Sequence, residues 1–356
     1  MSAPSAAAHL PPGREAVFHI DGFEFESGER IDRLAVGYVM FGQFNALRDN
    51  LLLLMPGTGN LRHSALGHVG PGRTYDTDRY CVVCTDAIGG GTSSKPSAGA
   101  RGRFPRYTIR DMVRAQHRLV CEGLGLGDTP AAMVAGASMG AFQTLEWLIA
   151  YPSSARAAVL LVPGWRATHT FRLATERMLE MITLDVKWQG GDYTSQPLDG
   201  LRAAGRHYFP WTVSDNYLES IPYQQAETEA EASGEWFAGW DAWDLMRRYQ
   251  ASACNDVSAP FGGRLQEALA RVDARVLLVP CAQDRLLGLE GAHKIAAGIH
   301  GARLRVIDSP KGHLAWRAVP NSPETEYVMR EVRDFLDLAP AETAKLPIGC
   351  ANAGEG

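Results

Sequence analysis

The hydrophobic residues of this chain fall into short continuous runs separated by loops that are rich in glycine. Runs of strand length occupy residues 50–55, 80–85, 131–135, 157–162 and 274–280. A strand of a parallel sheet has this composition because both of its faces are buried. We expect helices between these runs, at 109–124 and 141–151. The alternation of strand and helix predicts a mainly parallel, twisted sheet that is flanked by helices.

Two segments depart from this alternation. Residues 17–41 alternate apolar and polar positions, which predicts an antiparallel hairpin at the edge of the sheet. Residues 165–271 are helix-rich and hold six of the eight tryptophans, so we interpret them as a helical lid inserted into the core. The predicted division is a core of 14–164 and 272–338, a lid of 165–271, and tails expected to be disordered at 1–13 and 339–356.

Composition and charge exclude several classes of function. The chain has 356 residues, of which 46% are hydrophobic and 21% charged, as in an ordinary soluble protein. A net charge of -5 gives no electrostatic reason to expect nucleic acid or an anionic membrane as partner. No apolar stretch approaches the roughly 18 residues of a membrane-spanning helix. The N-terminal residues lack the pattern of a secretory signal, so we expect a cytoplasmic protein.

The cysteines do not indicate a metal site. Cys81 and Cys84 form one C-x-x-C pair inside the apolar run 80–85. Positions three apart in a strand point to opposite faces, so these two thiols are not expected to bind one metal together. No second pair completes a zinc set. We therefore expect buried structural thiols, no metal and no tightly bound organic cofactor.

The strongest chemical signal is the turn Gly136-Ala-Ser-Met-Gly140. It is a G-x-S-x-G sequence with a predicted strand before it and a predicted helix after it, which is the arrangement of the nucleophilic serine in the α/β-hydrolase fold. The glycines are needed because side chains there would collide with neighbouring backbone. We predict Ser138 as the nucleophile and the Met139 N–H as the first oxyanion donor, at a helix N-terminus. The alternative is a glycine turn with an incidental serine.

A serine hydroxyl needs a base, and in this fold the acid and then the histidine follow the serine along the chain. Asp284 follows the predicted strand 274–280, and His313 follows a predicted strand at 303–307. Both therefore lie at carboxyl ends of strands, as Ser138 does. We predict that His313 accepts the serine proton and that Asp284 orients the imidazole. The rivals for these roles are Asp273, Asp308, His293 and His300.

A second oxyanion donor is expected from the loop after the strand 50–55. Its sequence, Pro56-Gly-Thr-Gly59, offers the backbone N–H of Gly57 or of Thr58, and the sequence does not decide between them. Each well-placed donor stabilises the transition state by roughly 3 kcal/mol. A phosphate-binding loop is the alternative, but neither a Walker motif nor G-x-G-x-x-G is present at this turn.

Further motifs lie outside the serine turn. They are Asp78-Arg-Tyr80, Gly89-Gly-Gly91, Tyr107-Thr-Ile-Arg-Asp111, Leu145-Glu-Trp147, Asp185-Val-Lys-Trp188, Trp240-Asp-Ala-Trp243 and Asn255-Asp-Val257. With them the chain resembles the homoserine O-acetyltransferases and their esterase relatives, from about residue 30 to 335. The resemblance implies Ser138, Asp284 and His313 as the triad, and an acyl-serine formed from a CoA thioester such as acetyl-CoA. It also implies a homodimer through the lid.

One position departs from that family. Members that acylate homoserine carry an acidic residue directly after the catalytic histidine, whereas this chain has Leu314. An ammonium group left against a leucine is costly, so we expect a less polar ligand. Leu314, Trp316 and Arg166 are the candidate residues of the substrate pocket.

The residues favour a carboxylic-ester hydrolase that acts on small acyl esters. The alternatives are an acyl-CoA-dependent O-acyltransferase whose acceptor is not homoserine, and an inactive hydrolase-fold binding module. For both enzyme hypotheses, the expected binding partner is a small-molecule ester or acyl donor.

Overall fold

A computed structural model describes residues 13–337, and the strands of that part of the chain form one eight-stranded sheet. The strands are β1 (Arg14–Glu24), β2 (Arg30–Phe41), β3 (Leu51–Met55), β4 (Cys81–Thr85), β5 (Met133–Ala137), β6 (Ala157–Leu161), β7 (Arg275–Val279) and β8 (Arg303–Leu304). Their spatial order is β1-β2-β4-β3-β5-β6-β7-β8.

The sheet is parallel from β4 to β8, and β1 and β2 are antiparallel to their neighbours. This confirms the predicted fold class and the hairpin at the edge. The last strand is shorter than predicted: β8 pairs with β7 over two residues, and beyond it Ile307 forms only an isolated bridge with Cys281.

The helices are α1 (Ile109–Arg118), α2 (Met139–Ala150), α3 (His169–Leu184), α4 (Leu198–Thr212), α5 (Asp215–Ser220), α6 (Tyr223–Ala238), α7 (Ala242–Ala253), α8 (Leu265–Leu269), α9 (Glu290–Gly298) and α10 (Pro323–Asp337). The helix expected at 109–124 changes pitch, because α1 continues as a π-helical turn over Leu119–Gly123. None of the helices within 13–337 is long and apolar enough to cross a membrane.

The continuous apolar runs arise because each central strand is buried on both faces. In β3, Leu51 and Leu53 pack into the core on one face, and Leu52 and Leu54 pack into the core on the other. The two thiols of β4 divide in the same way: Cys81 lies on the first face, and Cys84, also buried, on the second. The two-sided core thus explains why no polar alternation marks these strands.

Helices α3 to α7, called the lid helices below, lie in the chain between β6 and β7, which are neighbours in the sheet. The segment therefore adds helices without adding a strand, and α4 packs against both α3 and α6. The boundaries of the predicted lid, 165–271, stay a prediction. The predicted tails lie outside the described residues, apart from Gly13.

One contact between α7 and the core depends on a carboxyl group. Asp244 accepts hydrogen bonds from the Ser97 backbone N–H at 2.8 Å and from the Ser97 hydroxyl at 2.6 Å. Burial raises the pKa of the Asp244 carboxyl from 3.8 to about 6. The folded state therefore disfavours ionisation, and this carboxyl reduces stability increasingly as the pH rises from 3.8 towards 6.

We expect Asp244→Asn to remove this loss and to stay hydrogen-bonded to Ser97, with its amide oxygen accepting from the Ser97 N–H and its Nδ2 donating to the Ser97 hydroxyl oxygen. Relative to the native protein, its free energy of unfolding should rise between pH 4 and pH 6 and then level off, about 1–3 kcal/mol higher. Urea unfolding of both proteins across this pH range measures the difference. A difference that does not change with pH would contradict the assignment.

Candidate active site

Ser138 lies at the sharp turn between β5 and α2, in a strained backbone conformation. Its φ is 57° and its ψ is -119°, a region that residues with a side chain rarely adopt. Two backbone hydrogen bonds stabilise this conformation. The Ser138 N–H donates to the Leu161 carbonyl at 3.1 Å, and the Ser138 carbonyl accepts from the Phe142 N–H at 3.0 Å. The serine is thus fixed at the carboxyl end of β5, half-buried.

The two glycines of the motif are required by close backbone contacts. A Cβ at Gly136 would lie 2.4 Å from the carbonyl of Gly140. A Cβ at Gly140 would lie 2.3 Å from the carbonyl oxygen of Met55, at the end of β3. This confirms the steric reason for the motif, and it shows that α2 begins in direct contact with β3.

The structure brings Ser138, His313 and Asp284 into one chain of hydrogen bonds. His313 Nε2 lies 2.8 Å from Ser138 Oγ, and His313 Nδ1 lies 2.8 Å from Asp284 Oδ2. The other carboxylate oxygen, Oδ1, accepts from the backbone N–H groups of Leu286 at 2.8 Å and Leu287 at 3.1 Å. The side chains of His313 and Asp284 are only 8% and 2% exposed, so the hydrogen bond between them is shielded from water.

Two loops carry the acid and the base to this place. Asp284 lies in the loop after β7, and His313 in a short 3-10 helix, Gly312–Leu314. The second loop is held by Ser214, whose N–H and hydroxyl both donate to the Pro310 carbonyl, at 3.1 and 2.7 Å. The rival residues are exposed on the surface, namely Asp273, Asp308, His293 and His300.

The loop that follows β3 comprises residues 56–60 and is called the β3 loop below. The surroundings of Gly57 and Thr58 in this loop distinguish the two candidate oxyanion donors. Thr58 lines the same cavity as Ser138, whereas Gly57 faces a small separate space that it shares with Gly136. Met139 is the first residue of α2, where a backbone N–H has no acceptor inside the helix. The arrangement therefore favours Thr58 over Gly57 as the partner of Met139.

Sequence reasoning missed two residues that hold the β3 loop. Gln143 of α2 donates through Nε2 to the Pro56 carbonyl at 2.9 Å. Arg248 of α7 donates to the Gly57, Thr58 and Asn60 carbonyls, at 2.8, 2.6 and 2.8 Å. Neither residue gives a sequence signal, because their partners are main-chain groups from a distant segment.

Ser138 and His313 open into a cavity of about 580 Å³, a size that suits a small molecule. The lid helices supply much of the wall of this cavity. Trp236 of α6 packs closely on the β3 loop, because a Cβ at Gly59 would lie 2.1 Å from its indole ring. Leu314 and Trp316 line the cavity, where the sequence placed them. The other aromatic lining residues are Tyr208, Phe209, Phe237 and Tyr249, and the charged ones are Glu229 and Arg317.

The prediction of Arg166 as a pocket residue is wrong. Arg166 lies outside this cavity, in a separate depression that Glu290 and Lys294 also line. Its guanidinium stacks on Trp165 at 4.6 Å, and its backbone forms a bridge with Asp256. The arginine that does line the cavity is Arg317.

Within residues 13–337, no group of three or more His, Cys, Asp or Glu side chains is arranged to hold a metal ion. The expectation that the chemistry needs no metal or organic cofactor stays a prediction.

A family model of the α/β hydrolase fold matches residues 50–315. The chain belongs to the α/β-hydrolase family. It is 30% identical to a homoserine O-acetyltransferase of Mycolicibacterium paratuberculosis, an alignment that covers 98% of this chain and 95% of that protein. This relative places the present α/β hydrolase in the homoserine O-acetyltransferase-like group, together with its esterase relatives.

Two solved structures share its architecture. An acetylester hydrolase from Corynebacterium glutamicum has a TM-score of 0.85 at 25% identity, covering 92% of this chain and 96% of the other. A homoserine O-acetyltransferase from Bacillus anthracis has a TM-score of 0.82 at 25% identity, covering 92% and 99%. This α/β hydrolase is therefore similar both to esterases and to acetyltransferases.

We expect Gly140→Ala to destabilise this α/β hydrolase by about 2–3 kcal/mol, because the added methyl group overlaps the Met55 carbonyl. Gly291→Ala is the matched control. A Cβ at Gly291, in α9, has no neighbour closer than 3.7 Å, and alanine favours the helix by up to about 1 kcal/mol. Urea unfolding measures both variants, and equal stability of the two would contradict the account of the turn.

Proposed function

We propose that this α/β hydrolase is a serine-dependent acyl-transfer enzyme that hydrolyses small carboxylic esters, of acetyl type, through an acyl-Ser138 intermediate. The observation that carries the proposal is the hydrogen-bonded chain from Ser138 through His313 to Asp284, which opens into a cavity lined largely by aromatic side chains. Nucleophile, base and orienting acid are within hydrogen-bond reach of one another, as this chemistry requires.

The first half of the reaction forms the acyl-enzyme. His313 Nε2 takes the proton from Ser138 Oγ while Oγ attacks the carbonyl carbon of the ester. The negative charge that develops on the carbonyl oxygen is stabilised by the N–H groups of Met139 and Thr58. As the tetrahedral intermediate collapses, His313 returns the proton to the leaving alcohol. The acyl group remains on Ser138.

The second half repeats these steps with water. His313 takes a proton from the water that attacks the acyl-serine, and then returns it to Ser138 Oγ as the acid leaves. Asp284 supports both halves because each of its oxygens is occupied: one by His313 Nδ1–H, the other by two backbone N–H groups. The carboxylate thereby holds the imidazole with its proton on Nδ1 and its lone pair towards Ser138.

Hydrolysis is favoured over transfer by the wall of the cavity next to His313. Leu314 follows the base directly and lines the cavity, so no carboxylate is provided there for a substrate ammonium group. The carboxylate that does line the cavity, Glu229, accepts hydrogen bonds from the Tyr217 hydroxyl and from Gln225. The similarity to an acetylester hydrolase from Corynebacterium glutamicum supports the same choice.

An acyl-CoA-dependent O-acyltransferase is the second candidate, supported by the relative named homoserine O-acetyltransferase. Both reactions share the acyl-Ser138 intermediate and differ in whether water or an alcohol removes the acyl group.

We also propose a homodimer formed through the lid helices. Of the eight large hydrophobic side chains most exposed in residues 13–337, five lie in the predicted lid, namely Leu173, Leu184, Val186, Tyr223 and Trp236. Exposed apolar side chains mark protein interfaces where they form one contiguous patch.

Turnover of short-chain nitrophenyl esters, compared with thiol release from acetyl-CoA in the presence of alcohols, tests the reaction. We expect ester hydrolysis in water, and little thiol release with or without an alcohol. Thiol release that depends on an alcohol, with negligible ester hydrolysis, would overturn the hydrolase assignment in favour of the transferase.

Ser138→Ala should lower the ester turnover by about 10³-fold or more, because no other group in the triad replaces the nucleophile. Ser153→Ala, at an exposed serine beyond α2, is the matched control and should keep native turnover. Unchanged turnover in folded Ser138→Ala would show that this site is not the seat of the activity.

A further inference from the structure

Arg248 is a buried cation that binds the backbone of the β3 loop. Its side chain is 0% exposed. Nε donates to the Thr58 carbonyl at 2.6 Å, and Nη2 donates to the Gly57 and Asn60 carbonyls, each at 2.8 Å. One guanidinium thus fixes three carbonyl groups within four residues of chain.

No carboxylate of the described residues forms an ion pair with Arg248. The nearby Asp86 pairs with Arg62 instead. On its other side the guanidinium lies over the Trp240 ring at 5.4 Å, and Nη1 is buried without a hydrogen-bond partner. Burial lowers the pKa of this guanidinium, because the protein interior disfavours its charge. The groups in direct contact with its positive charge are therefore carbonyl dipoles, and Asp86 and Asp244 act on it only from beyond ion-pair distance.

Peptide geometry connects this cation to the oxyanion donor. The Gly57 carbonyl and the Thr58 N–H belong to the same peptide group, and the described residues contain no cis peptide bond. In a trans peptide the C=O and N–H point in opposite directions. Because the Gly57 carbonyl points at Arg248, the Thr58 N–H points away from it. Thr58 itself lines the cavity that holds Ser138.

We propose that Arg248 is a positioning residue that orients the Thr58 N–H towards the oxyanion and places a positive charge behind that peptide. A peptide dipole held between the guanidinium and the oxyanion is aligned before the reaction begins, so little reorganisation is needed in the transition state. A carboxylate beside Arg248 would cancel this charge, and the described residues provide none in ion-pair contact. The inference rests on the proposed function, because it presupposes an oxyanion formed by attack of Ser138.

The test compares Arg248→Met and Arg248→Lys with the neighbouring variant Arg247→Met. Arg247 is also buried in α7, but it donates to the Gly102 carbonyl and to Gln250 rather than to the β3 loop. The readouts are kcat and KM with nitrophenyl acetate, and the affinity for a trifluoromethyl ketone, which forms a tetrahedral adduct with an active serine. Circular dichroism and urea unfolding report the fold and stability of each variant.

We expect Arg248→Met to lower kcat by about 10–100-fold, with KM changed by less than about 3-fold, because the lost interaction acts mainly in the transition state. The affinity for the ketone should fall by a similar factor to kcat/KM. Arg248→Lys keeps the charge but cannot reach all three carbonyls, so its kcat should fall by about 10-fold. Arg247→Met should lose stability and keep the native kcat.

A folded Arg248→Met with native kcat and native affinity for the ketone would overturn the proposal and leave Arg248 a structural role. If Arg248→Met does not fold, Arg248→Lys decides: native kcat in that variant would also overturn it. The two proposals fail separately. Turnover that survives in Ser138→Ala defeats the proposed function, whereas turnover that needs Ser138 but is insensitive to Arg248 defeats only this inference.

Discussion

The site depends on the strained backbone of Ser138 between β5 and α2. A positive φ at a residue with a side chain costs about 1–3 kcal/mol, and the surrounding contacts must offset that cost. They do so through the backbone hydrogen bonds of Ser138 to Leu161 and Phe142, and through the contact of Gly140 with the Met55 carbonyl. The contact with Met55 has a second consequence. It fixes the end of β3 against the start of α2, so the β3 loop lies beside the serine.

The parallel sheet then brings the remaining groups to the same edge. Ser138 follows β5, Asp284 follows β7 and Thr58 follows β3, each at the carboxyl end of its strand, where active sites of open α/β sheets lie. Helices between β6 and β7 line the site as well. They supply aromatic walls and, through Arg248, a contact that ties α7 to the β3 loop. The contact between Arg248 and the β3 loop therefore joins α7 to the core beside Ser138.

What the sequence predicted well is local. A buried strand, a glycine turn and a helix are adjacent along the chain, and their order alone predicts Ser138 as the candidate nucleophile. Asp284 and His313 followed from their positions after strands. Long-range packing was not predictable: the guanidinium of Arg248 binds carbonyls about 190 positions earlier in the chain, and backbone carbonyls carry no residue identity. The surroundings of Arg166 were not predictable for the same reason, since its backbone bridges to Asp256, 90 positions later in the chain.

The central claim is that Ser138 is an activated nucleophile, and a fluorophosphonate tests it most directly, because such reagents phosphonylate serines activated by a neighbouring base. The enzyme is treated with the reagent, residual ester turnover is followed, and the peptides are mapped by mass spectrometry. The account predicts that turnover is lost in proportion to the appearance of one phosphonyl group on the peptide that carries Ser138. Full turnover after prolonged exposure, or loss of turnover with the group on another residue, would contradict it.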